Sequence, residues 1–317
     1  MPSKILDLKP VLIGLLATIL IVACQNNSVR QVTNSQLADC RTVQHAFGEV
    51  CVPQIPQRLV SLDDATLADA LALGVSSVGV ATDFGKVPSY LTKQNNNLML
   101  LGKSDQPNLE RMFKLDPDLI VGIDILGESI FPQLSQIAPT ALGKWVDFSS
   151  WRKHFNFVAR VLGKEDKAKE VWDRYYQRIA EIKIALGEQL EEKKMAFIYV
   201  HSGAINIDLK NSFIGSIFAD LGIRQPKNYA AVDWGVIPLS EETLPDLDAN
   251  VLFVSFFGGE SEQTKLIELQ QKPLWQKLKA VQAGEVYVVD TDIWKQGNPI
   301  AANLVLDDLY KYLVERT

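Results

Sequence analysis

The chain has 317 residues, 47% of them hydrophobic and 22% charged, with a formal net charge of −6. This is the make-up of a globular protein with a large core, long enough for two lobes. The acidic balance and the lack of any Lys/Arg stripe exclude nucleic acid as a partner, and past Val22 no apolar run is long enough to span a membrane.

Lys4 and Lys9 precede an apolar stretch from Val11 to Val22, interrupted by Gly14 and Thr18 and ending in Ala23-Cys24. This is the layout of a secretory signal with a bacterial lipobox at its cleavage site. About 12 apolar residues fall short of the ~30 Å of hydrocarbon that a transmembrane anchor must cross. Residues 1–23 are therefore expected to be a lipoprotein signal peptide, with Cys24 carrying the lipid. Everything after it is expected outside the cytoplasm, in the periplasm or on the outer face of the cytoplasmic membrane, anchored by lipid alone. Residues 24–39 are polar and aperiodic, as a flexible tether is.

With Cys24 lipidated, Cys40 and Cys51 remain of the three cysteines. An even remainder in an oxidising compartment favours one disulfide over two free thiols or a metal pair. The intervening residues alternate in polarity around Gly48-Glu49 and read as a β-hairpin. A ten-residue gap is also unlike the spacing of zinc ligands.

An alternation of strands and helices follows. Arg58–Leu62 and Val78–Ala81 read as strands, with a helix over Ala65–Leu73 stopped by Gly74 between them. Leu109–Leu115 reads as a short helix leading into a buried strand at Leu119–Gly122. From Trp151 to about Leu186 apolar residues recur at helical spacing, interrupted once at Gly163, as in one kinked helix or two abutting ones. The α/β alternation then restarts: strand Met195–Val200, helix Phe213–Leu221 stopped by Gly222, short helix Glu241–Leu247, strand Asn250–Ser255, strand Gly284–Asp290 and a closing helix Ile300–Val314. The pattern predicts an α/β fold of two lobes with mostly parallel sheets joined by a long bridging helix. The expected boundaries are 40–150, 151–187 and 188–317.

The second half echoes the first. Glu110-x4-Leu115-Asp116-x2-Leu119 matches Glu242-x4-Leu247-Asp248-x2-Val251 at a constant offset of 132 residues. Two similar lobes joined by one element define a cleft, where small ligands usually sit.

Arg58-Leu-Val-Ser-Leu62, Leu71-Ala-Leu-Gly-Val75, Pro107-Asn-Leu-Glu110, Leu115-Asp-Pro-Asp-Leu-Ile-Val121, and Pro273-Leu-Trp275 followed by Gly284-Glu-Val-Tyr287 carry a resemblance. From about His45 onward the chain resembles the substrate-binding lipoproteins of iron-siderophore ABC importers, the helical-bridge class of periplasmic binding proteins with a chelatase-like fold. The resemblance implies a monomeric receptor that performs no chemistry. It would capture a ferric siderophore in a shallow cleft and deliver it to the permease dimer of an ABC importer. Iron would enter only as the chelated complex, with no intrinsic cofactor and no metal ligands from the protein.

The resemblance also assigns residues. Glu110 and Glu242 match the carboxylates with which each lobe docks on permease arginines. Read from the sequence alone, both also fit helix N-termini, with Ser240 as a cap for the second. Trp234, in a Trp-Gly pair, and Trp294, before the last helix, match tryptophans that line the cleft of ferric-hydroxamate binders, and Trp145 adds a third wall. Trp172 and Trp275 sit in helical apolar patterns and read as core; Trp151 fits either role. Where such binders often carry an arginine before Pro107 this chain has Ser104, leaving Lys103 or Lys295 as substitutes. Losing that bidentate donor disfavours ferric catecholates and favours a hydroxamate or citrate-hydroxamate ligand.

Other readings are weaker. Three scattered histidines, His45, His154 and His201, do not make a bare-metal receptor. His201 is the one candidate axial ligand for haem, and cobalamin needs mainly aromatic walls. A secreted lipoprotein enzyme would rest on Asp63-Asp64 after a strand, but these acids fit a helix cap, and no G-x-S-x-G, P-loop or HExxH is present.

Overall fold

A computed structural model describes residues 40–92, 97–226 and 234–315. The signal peptide, the lipidation residue Cys24 and residues 25–39 of the tether lie outside the described residues. The chain opens with a hairpin of β1 (Cys40–His45) and β2 (Gly48–Pro53), and Cys40 and Cys51 are both disulfide-bonded. Gly48, at the turn, has φ +121°, a conformation that side chains rarely allow.

The first lobe is built on β3 (Leu59–Ser61), β4 (Ser77–Thr82), β5 (Met99–Lys103), β6 (Gln106–Pro107), β7 (Leu119–Ile123) and β8 (Thr140–Gly143), in the order β6-β5-β4-β3-β7-β8. All neighbours are parallel except β5–β6. β3 and β7 are buried at every position, as strands covered on both faces must be, which explains their unbroken apolar runs. Helix α1 (Asp64–Ala72) begins where Asp63 Oδ1 accepts the Thr66 N–H at 2.7 Å and is followed by Gly74 at φ +78°. Helix α2 (Leu109–Lys114) is capped by Asn108 and leads to β7.

The bridging segment is two helices, α3 (Trp151–Leu162) and α4 (Glu165–Leu186). They part at Gly163, left-handed at φ +63°, and Arg41 of β1 donates to the terminal carbonyls of Arg160 and Val161, both at 2.9 Å. Phe155, Val158 and Leu162 of α3 pack with Leu59 and Val121 of the first lobe. Helix α4 begins in that same core with Ala168 and Val171 and ends in the second, where Ile179, Ile182 and Leu186 meet Met195 and Phe197.

The second lobe contains β9 (Met195–His201), β10 (Ala204–Asp208), α5 (Phe213–Leu221), β11 (Val236–Leu239), β12 (Val251–Phe257), α6 (Glu260–Gln270), β13 (Val286–Val288) and α7 (Pro299–Leu313). Its sheet order is β11-β10-β9-β12-β13. β12 runs parallel to β9 and β13, whereas β10 is antiparallel to both neighbours. The sequence repeat maps onto equivalent places, α2 entering β7 and a 3-10 turn over Glu241–Asp246 entering β12. Pro245 inside that turn removes a donor, so the second copy does not continue as an α-helix. Among the described residues no helix is long and apolar enough to cross a membrane.

Candidate ligand-binding cleft

The carboxyl ends of parallel strands from both lobes converge on a cavity of about 490 Å³. Phe84 and Lys86 reach it from the loop after β4, Phe256 and Phe257 from the end of β12, and Asp290 and Asp292 from the cap and first turn of the short helix Thr291–Trp294 after β13. Open α/β sheets hold ligands outside their strand ends because the loops there vary without disturbing the core. Two contacts span the cavity. Phe84 meets Phe257 edge-to-face, ring centroids 4.6 Å apart, and Lys86 Nζ lies 3.5 Å from Asp292 Oδ2. His201 packs at 5.1 Å on Phe257, and its Nδ1 is 2.8 Å from the Phe257 carbonyl oxygen, which requires the proton on Nδ1. Farther along the interface Asn298 Nδ2 donates to the Tyr90 hydroxyl at 2.9 Å.

Buried carboxyls lie at the cap of α1 and along it in the first lobe. Asp64 accepts the Asp83 N–H at 3.1 Å through Oδ2, while its buried Oδ1 has no partner. Burial, reinforced by the neighbouring Asp83, Asp63 and Asp292, pushes Asp64 up to about 8, against the pull of the Asp83 amide. Asp63 rises to about 6 through burial although it accepts from Thr66 and Ile123. Asp69 is fully buried with neither carboxyl oxygen hydrogen-bonded, 3.9 Å from His154 Nε2. Burial drives Asp69 well above the usual carboxylate range and His154 down to about 3, so burial opposes the charged form of both partners. Asp63 caps α1 as the sequence predicts, and Asp64 is its first residue.

None of the five residues expected to hold ligand lines this cavity. Trp294 is fully buried: its indole packs at a tilt against Phe253, ring centroids 4.7 Å apart, and Nε1 donates to Asp308 Oδ2 at 2.8 Å. It is a core residue, which corrects its expected place on the cleft wall. Four residues of helix, Thr291–Trp294, turn it inward, and no periodicity over so short a segment reveals that. Trp234 is 75% exposed beside the turn that leads to α5. Gly235 next to it is pressed against that turn, where an added Cβ would lie 2.7 Å from the Asn211 carbonyl oxygen. Trp145 is half-buried between the lobes, its ring 5.6 Å from His154 and against Gly297.

Ser104 is 3% exposed and its hydroxyl donates to Asp83 Oδ1 at 2.9 Å, so it serves the carboxyl cluster. Lys103 is exposed at the end of β5. Lys295 is buried against Asp208, both carboxylate oxygens at 3.0 Å, with its Nζ 4.2 Å from the Tyr199 ring centre. Burial opposes its charge, but Asp208 and Tyr199 hold its pKa above the ordinary lysine value. Lys295 is therefore committed to a core ion pair, which corrects its expected use as a substitute for the arginine. Trp151 is buried with Nε1 donating to Ser216 Oγ at 3.0 Å, Trp275 is core, and Trp172 is half-buried between two cores.

Glu110 and Glu242 are both exposed. Glu110 pairs with Lys114 one turn on at 2.6 Å, and Ser240 caps the turn that carries Glu242. The cavity residues Phe84, Lys86 and Phe257 escape the sequence reading, although Phe257 ends an apolar strand and the other two lie in the short loop that follows one. That position is the signal that could have found them.

A binding protein with its cavity at the strand ends of two bridged α/β lobes matches what sequence comparison finds. The chain belongs to the periplasmic binding protein family, whose model matches residues 59–293. It is 31% identical to a probable siderophore-binding lipoprotein of Bacillus subtilis, YfiY, over 95% of this chain and 96% of that one. It is 29% identical to the Fe(3+)-citrate-binding protein YfmC of the same organism, over 92% and 91%. Among solved structures, Staphylococcus aureus SirA complexed with staphyloferrin B superposes with a TM-score of 0.77 at 24% identity, covering 86% of this chain and 98% of SirA.

Proposed function

We propose that this chain is an extracytoplasmic receptor, lipid-anchored at Cys24, that captures a ferric siderophore and hands it to the permease dimer of an ABC importer. The observation that carries this reading is the cavity between the lobes. It is walled by aromatic rings and placed at strand ends, in a chain similar over nearly its whole length to a siderophore-binding lipoprotein. The receptor performs no chemistry and needs no cofactor of its own, because iron arrives already chelated. A hydroxamate or citrate-hydroxamate complex suits a cleft without the bidentate donor at position 104. The receptor acts as a monomer, with 40–150 and 188–317 as its lobes and 151–187 as the bridge. Glu110 and Glu242, exposed at equivalent places in the two lobes, supply the docking carboxylates. Trp234, 75% exposed, and Trp145, half-buried between the lobes, are the tryptophans that reach the bound complex.

The test is tryptophan fluorescence of the chain lacking residues 1–24, titrated with ferric hydroxamates, ferric citrate, ferric catecholates, haemin and cobalamin. Saturable quenching by a ferric hydroxamate or citrate-type complex, weakened in Trp234→Ala, is the expected result. Saturable binding of haemin or cobalamin alone would overturn the ligand and leave the family intact.

A further inference from the structure

Resting on that reading, we infer that Lys86 is the residue that grips the anionic oxygens of the ferric complex, and that it does so by leaving Asp292.

The other cations expected near the ligand do not serve. Lys295 is neutralised on Asp208, Lys103 is not part of the cavity wall, and position 104 is a serine spent on Asp83. Lys86 is the one cation among the described residues of the cavity wall. Carboxylate, catecholate and hydroxamate chelates of ferric iron present oxygen atoms bearing negative charge, most strongly where carboxylates are left over. A lysine ammonium with three donors satisfies them without a fixed fork geometry.

The loop holds Lys86 in position. Asp83 is tied by its amide to Asp64 and by its carboxylate to Ser104, and the Gly85 N–H turns back to the Thr82 carbonyl at 3.4 Å. Phe84 is steadied across the cleft by Phe257. The Lys86–Asp292 pair itself is loose: 3.5 Å apart, the lysine 70% exposed, in the range where ion pairs contribute little and are readily exchanged. The carboxylate therefore parks the ammonium at the mouth of the cleft. An incoming complex with a carboxylate or another anionic oxygen facing the first lobe takes the ammonium over, and one contact between the lobes is replaced by a contact with ligand. This favours citrate-type complexes, which carry free or metal-bound carboxylates, over uncharged trihydroxamates.

The pair makes an unusual test possible, because its two partners should act with opposite sign. In the full chain, affinities for ferric citrate, ferric staphyloferrin B and ferrichrome are measured by fluorescence titration at low and high salt. Lys86→Met is expected to weaken the citrate-type complexes about tenfold, the scale of one charge-assisted hydrogen bond. Lys86→Arg should retain most of the affinity. Asp292→Asn frees the ammonium and should tighten the same complexes about threefold, the scale of an exposed ion pair. Ferrichrome should respond less to all three. If Lys86 and Asp292 only latch the lobes, both removals shift affinity in the same direction and Lys86→Arg behaves as wild type for every ligand; that result overturns the inference while siderophore binding stands. If the wild-type chain binds none of the three complexes, the receptor reading itself fails and the inference with it. Circular dichroism of each variant checks that it is folded.

Discussion

The two lobes share a parallel core, β3, β7 and β8 in one and β9, β12 and β13 in the other, yet they deal with buried acid in different ways. In the first lobe Asp63, Asp64 and Asp69 are buried at the start and along the inner face of α1 without a cation, and burial raises all three, Asp64 as far as about 8, so that proton uptake relieves the charge. In the second, Asp208 is buried as completely and burial raises it too, but Lys295 lies against it with both carboxylate oxygens at 3.0 Å, pulls its pKa back down and is itself held above the ordinary lysine value. The same fold thus tolerates buried carboxyls by proton uptake on one side and by ion pairing on the other, and the two solutions should fail under different conditions.

The largest effect expected is in the second lobe. Lys295→Met leaves Asp208 buried and uncompensated and should cost about 3–5 kcal/mol in urea unfolding at pH 7. A cost below about 1 kcal/mol would mean that Asp208 simply takes up a proton, and the contrast between lobes would disappear. Trp294→Phe keeps the packing against Phe253 but strands the Asp308 carboxylate, and should cost about 1–2 kcal/mol without changing ligand affinity. A loss of binding without a loss of stability would return Trp294 to the cleft. In the first lobe the sign reverses. Asp64 titrates near 8 in the folded chain against 3.8 for a free carboxyl. Its contribution to stability is complete below the lower value and fades as the pH rises through the upper one. Asp64→Asn, which keeps an acceptor for the Asp83 amide, should leave Tm unchanged at pH 4 and raise it by about 3 °C at pH 8. An equal shift at both pH values would show that the carboxyl is not the titrating group. Smallest of all, Glu110→Gln and Glu242→Gln should each change stability by less than about 0.5 kcal/mol, as exposed charges do. Both should nevertheless impair iron uptake by cells carrying the variant.

The legible parts of the fold are those where periodicity is sustained or a glycine marks an end. The helix over Phe213–Leu221 with Gly222 after it, the break at Gly163 and the strand from Met195 follow from pattern alone. β8, the hairpin strand β10 and helix α6 do not. Thr140–Gly143 is too short to show a period, Ala204–Asp208 is mixed in polarity because it pairs antiparallel toward an edge, and Glu260–Gln270 buries only Leu266 and Leu269. The site was harder still. Trp294 and Trp234 both look like loop tryptophans in sequence, and one is core while the other is three-quarters exposed. The difference lies in which way one short turn of helix rotates the indole, and tertiary packing decides that.

Helix α4 belongs to both hydrophobic cores, Val171 to one and Ile182 to the other. Melting either lobe would strip apolar cover from a helix the other still needs. The lobes are therefore coupled thermodynamically, and calorimetry of the receptor should show one cooperative transition, with calorimetric and van't Hoff enthalpies equal, rather than two domain-wise steps.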